Sequence, residues 1–174
     1  MDADPTLPTE AILEEIINLQ LAGGFSGYDK VLLFYMATLG RCDKPTAINE
    51  QINKYISVFR KLIVDGGAEM QEVLMACMER HIRSNFNMLK HTPVIMKLFY
   101  DADLLEEDTV LVWADSRTRG EFSYAVVEDT AITYIKQKAK PFVTWLKNAA
   151  SEDDGEEGIY IYRSPFHQSP VLTN

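Results

Sequence analysis

Cys77 and His81 stand one helical turn apart. A thiol beside an imidazole is the pair a covalent catalyst uses, the ring taking the proton and the thiolate attacking. No third group that would orient the ring is marked near them. Val73, Leu74 and Ile82 recur with the pair at helical spacing, so both read as filling of an apolar helix face. The one glycine-rich loop, Gly23-Gly24-Phe25-Ser26-Gly27, follows a helix pattern and lacks a lysine, so it reads as a helix stop and not a phosphate cradle. Asp101, Asp103, Glu106, Glu107 and Asp108 offer hard oxygens to a cation but lack the glycine and spacing of a calcium loop. Two cysteines, Cys42 and Cys77, rule out a four-cysteine zinc site and a disulfide framework. No catalytic residue, metal or cofactor is expected.

What remains as chemistry is recognition. The chain has two tryptophans, and each is tied to acid. Trp113 follows Asp101, Asp103, Glu106, Glu107 and Asp108. Trp145, with Phe142, precedes Glu152, Asp153, Asp154, Glu156 and Glu157. The chain carries 26 acids against 17 bases, a net charge of −9, and these two segments hold the excess. Carboxylates attract lysines, and an indole face can pack their stems or cations. Such faces repel a nucleic-acid backbone and favour basic protein segments, and no sequence-specific nucleic-acid binding is expected. Bases gather instead at Arg60, Lys61, Arg80 and Arg83, a candidate second surface of opposite sign.

The elements that must position these groups are helices. Apolar residues recur with a period near 3.6 from Thr9 to Leu21, Tyr28 to Leu39 and Thr46 to Ile63. A fourth helix is expected from about Ala68 to Lys90 and a short fifth after Thr92-Pro93, read as cap and first-turn proline. The first acidic cluster opens a sixth, its acids in the first turn where the helix dipole favours them. A last helix is expected from about Ser123 to Ala149, kinked or split at Pro141, and each indole should be at least half buried. No strand pattern precedes Ile159-Tyr160-Ile161-Tyr162. The expected fold is all-α, an α-solenoid of stacked antiparallel helix pairs. The expected organisation is a loose lead-in over 1–8, a helical domain over 9–150 and an acidic, mostly disordered tail over 151–174. No run reaches the roughly 20 apolar residues of a membrane helix. The acidic start Met1-Asp2-Ala3-Asp4-Pro5 is no signal peptide, so a cytoplasmic monomer is expected.

Two elements carry a resemblance to a known family. Phe99-Tyr100-Asp101-Ala102-Asp103-Leu104-Leu105-Glu106-Glu107-Asp108, ending at Val112-Trp113, and Lys138-Ala139-Lys140-Pro141-Phe142-Val143-Thr144-Trp145-Leu146-Lys147, followed by its acid run, resemble the two aromatic/acidic boxes of the two-tryptophan domain. That domain ends several eukaryotic translation factors, and the resemblance is strongest to the initiation factor 5 branch. The resemblance implies an atypical HEAT-type fold and a scaffold without catalysis. It implies that the boxes bind lysine-rich segments of the β subunit of initiation factor 2, and that the domain also contacts initiation factors 3 and 1 in a preinitiation complex. Carried across, the partner-binding residues are Asp103, Glu106, Glu107, Asp108 and Trp113 from the first box. The second supplies Phe142, Trp145, Glu152, Asp153, Asp154, Glu156 and Glu157. The family's GTPase-activating zinc-ribbon region has no counterpart here, so the chain reads as an excised domain. Two relatives supply alternatives: the nucleotide-exchange domain of the initiation factor 2B ε subunit, and a regulatory mimic protein.

Overall fold

The computed structural model describes residues 9–115 and 129–153. Seven α-helices make up this part: α1 (Thr9–Gly23), α2 (Gly27–Thr38), α3 (Pro45–Ile63), α4 (Ala68–Ser84), α5 (Thr92–Asp101), α6 (Glu107–Asp115) and α7 (Asp129–Asp153). A 3-10 segment, Phe86–His91, joins α4 to α5. No strand occurs among the described residues. The lead-in, the beginning of the last helix as expected from Ser123, the Ile159–Tyr162 segment, and Asp154, Glu156 and Glu157 lie outside them.

The packing alternates along the chain. α1 lies on α3, α3 on α5 and α5 on α7, while α2 lies on α4 and α4 on α6. Odd and even helices thus form two layers, the arrangement of a solenoid of helical hairpins. Within the even layer the helices run parallel. Tyr28, at the start of α2, donates to Glu69, at the start of α4, and Tyr35, further along α2, meets His81 of α4. Likewise Gln71 of α4 meets the start of α6, and Glu79 meets Trp113 near the end of α6. The turns therefore sort onto two edges. Residues 24–26, 64–67 and 102–106 lie on one edge, and 39–44 and 85–91 on the other.

The core runs continuously between the layers. Tyr35, Phe59, Phe99 and Phe142 are its largest fully buried side chains, with Leu39, Ile48, Ile52, Leu74 and Met78 around them. The expected inward residues Val73, Leu74, Cys77, His81 and Ile82 are all buried.

Local chemistry explains the boundaries, including those that differ from expectation. The Gly23–Gly27 loop is a helix stop followed by a cap. Gly24 has φ 66°, and the Phe25 amide reaches back to the Gln20 carbonyl at 3.2 Å. Ser26 and Asp29 then form a capping box for α2, starting it earlier than Tyr28. The fourth helix stops at Ser84 instead of Lys90. Asn85 leaves helical space at φ −129°, ψ 83°, and the tighter 3-10 segment turns Met88 and Leu89 inward. Thr92 does not cap α5. It lies inside the first turn, where its hydroxyl donates to the Leu89 carbonyl at 2.7 Å. α7 passes through Pro141 without splitting. Pro141 and Gln137, whose carbonyl loses its helical donor there, are both exposed to solvent. α7 also continues three residues past Ala150, so the backbone of Glu152 and Asp153 belongs to its last turn.

Candidate functional site: two tryptophan–acid elements

The first acidic box is built around a helix ending of defined geometry. The Leu104 amide donates to the Phe99 carbonyl at 2.9 Å, and the Asp103 amide to the Tyr100 carbonyl at 3.0 Å. These two bonds are a Schellman motif, with Asp103 in the left-handed position that glycine usually fills, at φ 57°. Leu104 and Phe99 supply the accompanying apolar contact, both fully buried. The turn is then pinned to α4, where the buried Gln71 accepts the Glu106 amide through Oε1 at 2.7 Å. The Glu106 carbonyl accepts the first bond of α6, from the Val110 amide at 3.2 Å.

This backbone turns Leu104 and Leu105 inward and leaves Asp101, Asp103, Glu106 and Asp108 exposed, with Glu107 half-buried. Among the described residues, Glu106, Glu107 and Asp108 have no side-chain partner. Asp103 pairs with Arg60 at 3.1 Å while remaining 81% exposed. Among the described residues no cluster of three acids, histidines or cysteines is placed to hold a metal ion.

The tryptophans face the other way. Both are partly buried, as expected. The Trp113 indole Nε1 donates to Glu79 Oε1 at 2.8 Å, and Glu79 is buried on α4. Lys136 Nζ of α7 sits over the Trp113 ring at 5.3 Å. Burial lowers the pKa of that ammonium, while Glu79 and Asp115 oppose the shift. Trp145 stacks on Phe142 at 5.7 Å and meets Tyr100 edge-on at 6.0 Å. Lys97 Nζ lies 5.0 Å over its ring and 2.7 Å from Asp101. Each indole thus already carries a lysine of its own chain. Phe142 is fully buried, so it supports Trp145 from below and presents no surface of its own.

The four basic residues are not brought together. Arg60 and Lys61 end α3, beside the acidic turn, and they pair with Asp103 and Asp65. Arg80 and Arg83 lie near the far end of α4, roughly 20 Å along the helix at 1.5 Å per residue. The sequence expectation of one surface from all four is corrected by the hairpin joining α3 to α4, which places the pairs on opposite edges.

The Cys77–His81 dyad does not form. His81 Nε2 donates to the Cys42 carbonyl at 2.8 Å, and Nδ1 then accepts from the Tyr35 hydroxyl at 3.1 Å. Burial lowers the His81 pKa and pushes the Cys77 thiol up to about 12. A histidine with both nitrogens engaged and a thiol that stays protonated are core groups.

Sequence reasoning missed Gln71, Glu79, Lys97 and Lys136. One signal was available: Gln71 and Glu79 interrupt an otherwise apolar face of α4, and buried polar side chains there need partners.

An all-α, HEAT-like stack with two aromatic/acidic elements near its C-terminal end defines a class of translation factor domains. Residues 70–156 match the profile described as W2: eIF4-gamma/eIF5/eIF2-epsilon, and the chain belongs to this family. Its relatives within the family include initiation factor 5 and an eIF5-mimic protein. It is 33% identical over 98 residues to eukaryotic translation initiation factor 5 of Phaseolus vulgaris, covering 56% of this chain and 20% of that protein. To the Zea mays factor it is 26% identical over 156 residues, 89% of this chain and 28% of that protein. To eIF5-mimic protein 1 of Homo sapiens it is 29% identical over 118 residues, 66% of this chain and 26% of that protein. The chain thus spans under a third of each of these relatives. A solved structure of the C-terminal domain of translation initiation factor 5 at low pH matches with a TM-score of 0.65 and 25% identity, over 87% of both chains. Among the described residues no helix is long and apolar enough to cross a membrane.

Proposed function

We propose that this translation initiation factor domain is a non-catalytic cytoplasmic scaffold. It binds lysine-rich segments, in the first place those of the β subunit of initiation factor 2, through the exposed acids of the α5–α6 turn. Initiation factors 3 and 1 are its further partners in a preinitiation complex. One observation carries the reading: Glu106 and Asp108 are exposed beside Asp103 on a single edge, and neither has a side-chain partner among the described residues. The turn is rigidly held by the Schellman bonds and by Gln71, so little order is lost when a flexible basic segment binds. Glu152, Asp153, Asp154, Glu156 and Glu157 are the acids that the second box contributes in sequence.

The tryptophans act as supports. Trp113 ties α6 to α4, and Trp145 ties α7 to α5, so the boxes keep their shape. Titration of the chain with a lysine-rich peptide tests the reading. Binding by wild type that is lost in the Glu106→Lys/Asp108→Lys variant supports it, and equal binding by both refutes it. The likeness to eIF5-mimic protein 1 supports a second reading, a regulatory protein that offers the same edge to the same basic segments. Acceleration of GDP release from initiation factor 2 by this chain would favour the exchange role instead.

A further inference from the structure

The edge opposite the acidic turn has its own character. It is formed by residues 39–44 and 85–91, drawn together by the His81 Nε2 bond to the Cys42 carbonyl at 2.8 Å. Arg41, Lys44, Arg80, Arg83 and Lys90 are exposed here or within a turn of it. Among the described residues the opposing acids include Asp43, on the same edge, and Glu50, further into α3, both near Cys42, and Asp115 at the end of α6, which pairs with Lys147 at 3.5 Å. The C-terminal dipole of α4 accounts for Arg80 and Arg83 as simple complements to a negative helix end. It does not account for Phe86. This ring opens the 3-10 segment, two residues past the end of α4, and is 58% exposed. Its neighbours Asn85 and Asn87 are polar, and the inward turns of the 3-10 segment are taken by Met88 and Leu89.

An exposed aromatic ring among arginines and lysines is the arrangement that holds unpaired bases. The ring stacks a base of any identity, and the cations follow the phosphates. We propose that this basic edge binds single-stranded nucleic acid without sequence preference, with Phe86 as the stacking platform and Arg80, Arg83, Arg41, Lys44 and Lys90 as phosphate contacts. The acidic edge repels the same ligand, so the strand lies across the far edge. The α3/α4 hairpin keeps the two surfaces apart. An acidic peptide would satisfy the cations but has no need of the ring.

Fluorescence anisotropy of a labelled oligouridine of about twelve nucleotides, a length within the range such sites cover, tests the inference on the whole chain. Binding should be present at low salt and fall steeply as salt rises. Phe86→Ala should weaken it about tenfold, Phe86→Trp should retain it, and Arg80→Glu/Arg83→Glu should abolish it. Glu106→Lys/Asp108→Lys should not weaken it, which separates this edge from the lysine-binding one. No binding to wild type, affinity unchanged by Phe86→Ala, or tighter binding of an oligoglutamate peptide at the same edge would each overturn the inference. Phe86 is exposed, and circular dichroism of each variant confirms that a loss is not unfolding.

Discussion

The indole nitrogen of Trp113 donates to a buried carboxylate, Glu79 Oε1, at 2.8 Å. This bond points the polar end of the first tryptophan into the protein, towards α4, and away from any partner. It also sets a cost for removing it. Trp113→Phe keeps most of the ring but takes a donor from a buried acid, a loss on the order of 1–3 kcal/mol. Urea unfolding should show that drop. Glu79→Gln in the same background should recover part of it, because a buried neutral amide tolerates the loss of one donor better than a buried carboxylate.

Asp103 allows charge to be separated from stability. Its φ of 57° suits glycine, and its ion pair with Arg60 is largely exposed, so the pair contributes little. Asp103→Gly and Asp103→Ala both remove the carboxylate, yet only alanine keeps a Cβ in left-handed space. The glycine variant should therefore be the more stable by about 1 kcal/mol in thermal or urea unfolding. Both should bind a lysine-rich peptide more weakly than wild type. Equal stabilities would contradict the Schellman geometry.

Much of this fold is legible in the sequence because its helices carry their own signals. The apolar stripes of α2, α3 and α4, the glycine stop at Gly24 and the proline start of α5 are local, and the layers follow from short connections. The carboxylates of the first box are legible for the same reason, since a run of acid at a helix start has nowhere to go but solvent. The lysines over the rings are not legible. Lys136 reaches Trp113 from another helix and Lys97 reaches Trp145 across the α5–α7 contact, and no spacing rule links such pairs. The split of the basic residues is also hidden. Arg60 and Arg80 look alike in sequence, and only the direction of the hairpin places them on opposite edges.

Lys97 provides a test of how the second box is used. Its ammonium lies 5.0 Å over Trp145 and 2.7 Å from Asp101, so it holds a carboxylate that an incoming lysine could otherwise pair with. Lys97→Met keeps an apolar stem on the ring and frees the carboxylate. Affinity for a lysine-rich peptide should rise several-fold by calorimetry, with stability falling by about 1 kcal/mol, because the Lys97 side chain is only 21% exposed and gives up both its ion pair and its ring contact. A fall in affinity would mean that Lys97 helps to build the binding surface instead of occupying it.

His81 gives the fold a pH dependence of known sign. Burial holds its folded pKa below the ordinary 6.5, so the unfolded chain takes up a proton first as pH falls. The stabilisation from neutral His81 is therefore complete above about pH 6.5 and is lost as pH drops towards the folded value. The melting temperature should fall between pH 7.5 and pH 5. His81→Gln, which can still donate to the Cys42 carbonyl, should flatten that slope. An equal slope in the variant would place the pH dependence elsewhere.

The central claim is that exposed carboxylates on the α5–α6 edge recognise lysine-rich segments. Titration of the chain with such a peptide over a range of salt concentrations tests it most directly. The claim predicts tight binding at low salt and a steep loss as the Debye length shrinks to about 8 Å at physiological ionic strength and below. It also predicts that binding is lost, at low salt as at high, once Glu106 and Asp108 are replaced by lysine. Binding that ignores both salt and these two residues, or no binding at low salt, would contradict it.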